Sequence, residues 1–313
     1  MATAAHLQRR ADEALAAADW ATARRLYSAA LAEDETPEAL EGLARASFFL
    51  NEGAPALDAH ERAYAGYRGA GRPVDAARMA IALAWDYRAF RGERAVSDGW
   101  LARARRLLAG SGPTREAGWL AVREASFALP GDPELARARC AEAEQLGRDL
   151  ADVDLEMTAL ALGGLIRVSQ GEVAEGMSRL DEATAAATAG EMRDPVAIGF
   201  SCCYLIFACE RVRDFDRAGQ WCERLAEFCA LRLETLVLGV QDPLRQRPDV
   251  PWCGRTEEGL RLAAPELETN AAGMAGDAFV GLAELRRRQG RTDEAESMFS
   301  SSPSSVLSVS RSR

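Results

Sequence analysis

The sequence contains no lysine, because all 38 of its basic residues are arginine. A P-loop nucleotide site uses a lysine to reach the phosphates, and Schiff-base chemistry requires a lysine amine. Protein kinases likewise depend on a lysine in one of their strands. The absence of lysine therefore excludes these three classes of enzyme at once.

Histidine is almost as scarce, since His6 and His60 are the only two in the chain. No HExxH or ExxH motif indicates a zinc or di-iron site. No GxSxG motif indicates a nucleophile elbow, and no GxGxxG motif follows a strand. We therefore expect no catalytic, cofactor-binding or metal-ligating residues, no cofactor and no enzyme activity. An all-α enzyme stays open as an alternative, and it would need a convergent polar cluster in a pocket.

The seven cysteines form an odd set without any CxxC spacing. The first residues contain no apolar core typical of a signal peptide, so we expect reduced thiols in the cytoplasm. Cys202 and Cys209 lie seven residues apart, as do Cys222 and Cys229, which places each pair on one face of a helix. A thiol-based redox sensor is therefore a second alternative, although buried cysteine acting as a small apolar residue is the simpler interpretation.

The formal net charge of −10 argues against direct binding to nucleic acid, whose affinity comes largely from cations that neutralise phosphates. The most membrane-like stretch, residues 198–209, is too short to span a bilayer. We interpret it as a buried helix and expect no membrane association.

One short pattern recurs along the chain. A small residue is followed by a bulky residue four positions later and a small or apolar residue seven positions later, as in Ala23, Tyr27 and Ala30. These steps mark one face of an α-helix. The first positions of the pattern lie 33 to 42 residues apart and are Ala23, Ala56, Ser97, Ala136, Gly176, Ala218, Gly259 and Ala295. Such a period indicates stacked supersecondary units.

A second helical stretch precedes each recurrence of the pattern. Thr36-Pro37 and Asp194-Pro195 place a capping residue before a proline in the first turn of a helix. Gly92, Gly171 and Gly290 lie where a helix end needs a left-handed residue. Each unit is therefore predicted to be a helix, a short turn and a second helix.

These residues resemble the tetratricopeptide repeat (TPR) family, whose second helix follows the same pattern. Leu40, Leu43 and Ala44, ahead of Ala56, also fit the first helix of that repeat. The resemblance covers about residues 4–230 and again 270–299. It implies an all-α fold, a TPR-like α-α superhelix (solenoid) of about seven to eight helix pairs.

A narrower resemblance concerns residues 152–187 and 202–225, which are similar to the helical-repeat region of bacterial transcription regulators of the LuxR type. In that family the repeats are joined to a C-terminal helix-turn-helix DNA-binding domain. The resemblance implies that this chain is the sensor or interaction part of such a regulator, without the DNA-binding domain.

The period fails in one internal segment that contains Pro243, Pro248 and Pro251. Each interior proline costs about 3 kcal/mol of helix stability, so a continuous helix is excluded there. The serine-rich end of the chain has little to bury and should be disordered. We predict four segments: TPR-like repeats over 1–230, an irregular segment over 231–255, C-terminal repeats over 256–299 and a disordered tail over 300–313.

Both breaks are abrupt, although the repeat length is kept across the first. A slip of the reading frame in the gene would explain them, and an inserted loop with a natural tail explains them equally well. Translation of the coding DNA in the other two frames would separate the two hypotheses.

The TPR resemblance also implies a concave groove lined by the first helices, in which such proteins hold a peptide or a protein segment. It places Glu41 and Arg45 of the second unit, and Glu284 and Arg287 of the last, at inward positions. We expect a non-catalytic, regulatory interaction module with a protein or peptide partner. The sequence does not identify the partner or the oligomeric state.

Overall fold

The computed structural model describes residues 3–232 and 292–293. Within these residues the chain forms α-helices and no β-strand, which confirms the predicted all-α class. The helices are α1 (Ala4–Ala16), α2 (Trp20–Glu33), α3 (Pro37–Phe49), α4 (Gly53–Gly69), α5 (Pro73–Arg91), α6 (Arg94–Leu108), α7 (Arg115–Ala128), α8 (Pro133–Asp149), α9 (Val153–Ser169), α10 (Val173–Ala189), α11 (Pro195–Val212) and α12 (Phe215–Arg232).

The helices come as consecutive pairs, with the odd-numbered helix first and the even-numbered helix second. Six of the seven to eight predicted pairs fall within the described residues. Residues 231 and 232 still belong to α12. The rest of the segment predicted over 231–255 lies outside the described residues. So do the C-terminal repeats, except for residues 292–293, and the serine-rich tail.

Short polar side chains fix where the helices begin. The Thr36 hydroxyl accepts a hydrogen bond from the Ala39 amide at 3.2 Å, and the Asp194 carboxylate accepts one from the Val196 amide at 2.8 Å. Both side chains satisfy amides that have no partner within the helix. The two helix starts predicted from threonine or aspartate before proline are confirmed.

Gly92 and Gly171 lie after α5 and α9, with φ values of 65° and 90°. These are left-handed conformations that glycine adopts without a steric penalty, so the predicted helix ends are confirmed at both sites. Gly290 lies outside the described residues.

The recurring pattern is the buried face of the second helices. Its first positions in α2, α4, α6, α8, α10 and α12 are all buried. The residues four and seven positions later are also buried in α2, α4, α6, α8 and α10: Tyr27, Ala30, His60, Ala63, Leu101, Ala104, Cys140, Ala143, Leu180 and Ala183. The sequence period therefore reports a helix face that is removed from water.

The described residues form two compact units. The first contains residues 3–63 and 82–99, and the second contains residues 64–81 and 100–232. Helices α4, α5 and α6 contribute residues to both units.

In the first unit, α2 packs against both α1 and α3. The Tyr27 ring lies on Gly42 of α3, where an added Cβ would come within 2.1 Å of the ring carbon Cζ. Trp20 stacks on Phe49, with ring centroids 4.0 Å apart. A glycine opposite a tyrosine thus lets α2 and α3 approach closely.

His60 lies in the core of the first unit, as predicted for a packing residue. It also has a polar partner, because its Nδ1 lies 2.7 Å from Oδ2 of Asp86 on α5. The two side chains are 8% and 2% exposed. A buried carboxylate is stable when it is paired in this way.

In the second unit, α9 packs against α7, α8, α10 and α11, and it is buried along most of its length. Among the described helices, α11 is long and apolar enough to cross a membrane by length and composition alone, and half of its 18-residue window is buried. Nine of its residues lie in the core of the unit. The sequence-based prediction of a buried helix over 198–209 is therefore confirmed.

Polar contacts join the second helices of successive pairs in the second unit. Asp181 of α10 accepts hydrogen bonds from Arg217 at 2.7 Å and from the Trp221 indole at 2.8 Å, both on α12. Glu144 of α8 pairs with Arg179 of α10 in the same manner. Each repeat is thus tied to the next by charge as well as by packing.

Candidate binding surfaces on the first helices

Glu41 and Arg45, the predicted groove residues of α3, are partly buried in the first unit. The Tyr27 hydroxyl from α2 donates a hydrogen bond to Asp12 of α1 at 2.6 Å. Burial and this hydrogen bond raise the pKa of Tyr27, while the Arg45 charge lowers it and the Glu41 charge raises it. The structure therefore brings both predicted residues into one electrostatic cluster with Tyr27 and Asp12.

Glu284 and Arg287, the other predicted groove residues, lie outside the described residues. The assignment of all four to a partner-binding groove stays a prediction.

The register that places Glu41 and Arg45 inward selects two other residues in α11. Glu41 and Arg45 precede the first pattern position of their unit by 15 and 11 residues, and in the last described unit Cys203 and Phe207 do the same. Phe207 is 51% exposed, the largest exposure among the large apolar side chains of the described core helices. Sequence reasoning missed this pair, although the register was sufficient to find it.

Phe207 continues an apolar line along α11. Phe200, Cys203 and Phe207 follow one another at steps of three and four, so they share one face of the helix, and Phe200 and Cys203 are partly exposed. We call these three residues the α11 stripe. An exposed aromatic line of this kind is typical of a surface that buries a partner.

Arg123 of α7 meets the α11 stripe from the far side of α9. Its guanidinium carbon lies 5.0 Å from the centroid of the Phe200 ring, which is the geometry of a cation–π contact. The residue is 8% exposed. A buried cation is therefore held against the first aromatic ring of the stripe.

Tyr204 lies beside the same ring. It is 6% exposed, and its ring stacks on Phe200 with centroids 6.0 Å apart. Burial raises the pKa of Tyr204, while the Arg123 charge and the nearby Ser126 hydroxyl lower it. No described residue gives the Tyr204 hydroxyl a hydrogen bond of ordinary geometry, and leaving such a group unpaired costs about 1–3 kcal/mol.

Glu124, the residue next to Arg123, is engaged elsewhere. One of its carboxylate oxygens accepts from Arg105, and the other lies 3.1 Å from Arg139. Two arginines of the second helices thus share this one carboxylate.

The described thiols are in surroundings that disfavour thiolate. Burial raises the pKa of Cys140 to about 12 and the pKa values of Cys203 and Cys209 to about 11. Burial also raises the pKa of Cys222. Because the thiolate is the reactive form of cysteine, these shifts work against the redox-sensor alternative; the side chain of Cys229 lies outside the described part.

Across residues 3–232 and 292–293, no group of three or more histidine, cysteine, aspartate or glutamate side chains is arranged to hold a metal ion. The polar side chains described above serve packing, ion pairing and the α11 surface.

No protein-family model matches the chain, and no curated protein matches it in sequence. Its structure is similar to that of a signal transduction ATPase with numerous domains from Pyrococcus horikoshii that contains a tetratricopeptide repeat sensor. That similarity has a TM-score of 0.50 at 14% sequence identity, covering 90% of this chain and 43% of that chain. This chain thus spans less than half of the length of the Pyrococcus protein.

A second similar structure is the apo form of the quorum sensor NprR from B. thuringiensis. It has a TM-score of 0.49 at 14% identity, with 94% of this chain and 74% of that chain covered. The helix pairs, their repeated buried face and the similarity to the Pyrococcus structure give the chain a TPR-like α-solenoid fold.

Proposed function

We propose that the chain is a non-catalytic regulatory module that binds a peptide or a protein segment on the surface of its first helices. Its fold is similar to that of the Pyrococcus protein, whose repeats are described as a sensor. Solenoids of this kind bind partners on extended surfaces built by successive repeats.

The observation that carries the proposal is Phe207. Its ring is half exposed, it occupies an inward register position of a first helix, and it lies in line with Cys203 and Phe200. Aromatic side chains contribute much of the binding energy of protein interfaces when a partner buries them.

The test is a selection of random 12-residue peptides against the full chain, followed by titration of the selected peptides labelled with fluorescein. Fluorescence anisotropy measures the Kd for the wild-type chain and for Phe207→Ser. We expect the substitution to raise Kd at least tenfold, because it removes the apolar area that the peptide buries.

Leu135→Ser is the matched control. Leu135 is 43% exposed and lies on the second helix α8, so its removal should leave Kd unchanged. A selection that yields no binders, or binders that lose affinity equally in both variants, contradicts the proposal.

We further propose that the module is the cytoplasmic sensor part of a transcription regulator of the LuxR type, as the sequence resemblance implies. The supporting feature is the TPR-like stack itself, together with thiols held in reduced form by burial. The genomic sequence downstream of codon 313 tests this: a helix-turn-helix coding segment in any frame supports it, and its absence contradicts it.

Glu41 and Arg45, and outside the described residues Glu284 and Arg287, are assigned to partner contacts in the same proposal. The exchange Glu41→Arg with Arg45→Glu should change which selected peptides bind, favouring peptides of the reversed charge pattern. An unchanged set of peptides would remove this assignment.

A further inference from the structure

The Tyr204 hydroxyl and the Arg123 guanidinium lie close together, and both are suited to a negatively charged acceptor. A guanidinium carries donors and no acceptor. The tyrosine hydroxyl is buried and receives no hydrogen bond of ordinary geometry from the described residues. A carboxylate placed between them would accept from both groups, with the bidentate geometry that arginine favours.

The local charge balance agrees with an anionic ligand. Glu124, the carboxylate adjacent in sequence to Arg123, is shared by Arg105 and Arg139. Phe200 holds the guanidinium from one side with its ring face. The low dielectric of this surrounding strengthens the attraction between a guanidinium and a carboxylate.

The spacing along α11 sets where an apolar group of the ligand would lie. Phe207 follows Phe200 by seven residues, which is a rise of about 10 Å along a helix. An extended peptide covers about 10 Å in three residues. A ligand with its carboxylate at Arg123 would therefore place a side chain three residues away against Phe207.

We propose that Arg123 and Tyr204 form a carboxylate-binding subsite next to the α11 stripe, and that the partner is a peptide with a carboxylate about three residues from a large apolar side chain. This inference rests on the proposed function. It adds the chemistry of the partner to the surface. Phe200 rotates off the guanidinium to admit the carboxylate, while Phe207 receives the apolar side chain.

The probes are two fluorescein-labelled peptides, Gly-Gly-Phe-Ala-Ala-Glu-amide and the same peptide with Gln in place of Glu. A second pair, Gly-Gly-Phe-Ala-Ala with a free carboxylate and with a C-terminal amide, distinguishes a chain end from an acidic side chain as the source of the charge. Anisotropy titrations of the full chain should show at least one carboxylate probe binding ten times or more tightly than its amide counterpart.

Arg123→Gln should abolish this preference, and Tyr204→Phe should reduce it by a factor of three or more. Arg148→Gln is the control, because Arg148 pairs with Glu144 on the surface of α8, and it should leave the preference intact. Thermal unfolding followed by circular dichroism shows whether Arg123→Gln folds; if it does not, Tyr204→Phe decides, since it removes only one oxygen.

Equal binding of each carboxylate probe and its amide counterpart, with Phe207→Ser weakening them all, would overturn the carboxylate subsite and leave the proposed function standing. A carboxylate preference that survives Arg123→Gln would also overturn it. Failure of all four probes to bind overturns the subsite, and the proposed function fails as well only if the peptide selection yields no binders that depend on Phe207.

Discussion

Gly164 of α9 and Gly176 of α10 face each other at the closest approach of their two helices. A Cβ atom added to Gly164 would lie 2.7 Å from the carbonyl oxygen of Gly176, and one added to Gly176 would lie 2.6 Å from the carbonyl oxygen of Gly164. The contact is thus reciprocal and involves backbone atoms on both sides. It gives a physical reason for the small residue at the first position of the recurring pattern.

Gly176→Ala should destabilise the chain by about 1–3 kcal/mol, the usual cost of inserting a methyl group into a packed interior. The backbone of α9 would have to move, because the obstructing atom is a carbonyl oxygen rather than a flexible side-chain end. Urea unfolding followed by circular dichroism measures the change. No loss of stability would contradict the close approach of α9 and α10.

Gly99→Ala is the matched control. Gly99 is an exposed residue inside α6 with no atom within 4 Å of an added Cβ. Alanine there should stabilise the chain by about 0.5–1 kcal/mol, because glycine is unfavourable within a helix. The two substitutions should therefore have opposite signs.

Asp86→Ala should cost about 3–5 kcal/mol, since it removes the partner of a buried polar group. The double substitution His60→Leu with Asp86→Ala should recover part of this loss, because no polar side chain is then left without a partner. A double-mutant cycle by urea unfolding measures both effects. Additive losses would show that His60 and Asp86 are not coupled.

Asp58→Ala is the control for this cycle. Asp58 pairs with Arg62 at 3.2 Å on the surface of α4, and their side chains are largely exposed. Exposed pairs of this type contribute about 0.5 kcal/mol or less, so the loss should be small.

Cys140 should resist alkylation by iodoacetamide at pH 8 while the chain is folded. Burial raises the pKa of this thiol to about 12, so the thiolate is scarce at that pH, and in urea it should react readily. Mass spectrometry of tryptic peptides measures the labelling of each cysteine. Fast labelling of Cys140 in the folded chain, or a Cys209–Cys222 disulfide after mild oxidation, would revive the redox-sensor alternative.

Glu144→Gln should remove about 1 kcal/mol of stability at neutral pH, after allowance for screening by solvent. Burial alone would raise the pKa of Glu144, but the hydrogen bonds and charges of Arg148 and Arg179 outweigh burial and lower the pKa. A depressed carboxyl pKa stabilises the fold above the ordinary value and loses this effect as the pH falls through the folded value.

The difference between wild type and Glu144→Gln should therefore shrink below about pH 4, as measured by urea unfolding over a pH series. Glu142→Gln serves as the control, because Glu142 is an exposed partner of Arg139 within one helix. A difference that does not vary with pH would show that the two arginines do not act on Glu144.

The helix pairs could be predicted from the sequence because the packing of each second helix is written at fixed local steps. Gly176, Leu180 and Ala183 lie four and seven residues apart, and these steps follow from the helix period alone. Helix starts such as Thr36 and Asp194 were predictable for the same reason, since a cap involves residues only two or three positions away.

The candidate subsite could not be predicted in this way. Arg123 and Phe200 are 77 residues apart in sequence and meet because α7 and α11 both pack against α9. No local spacing encodes that contact. Asp86 was missed as a partner of His60 for a related reason: one lies on α4 and the other on α5, and a charged residue in an apolar run was the only signal.

Hydrogen–deuterium exchange of the full chain, with and without a selected peptide at saturation, tests the central claim most directly. Binding on the first-helix surface predicts slower exchange in the peptides that cover α7 and α11, with α8 and α10 unchanged. Slower exchange confined to α8 and α10, or none in α7 and α11 while the peptide is bound, would contradict it.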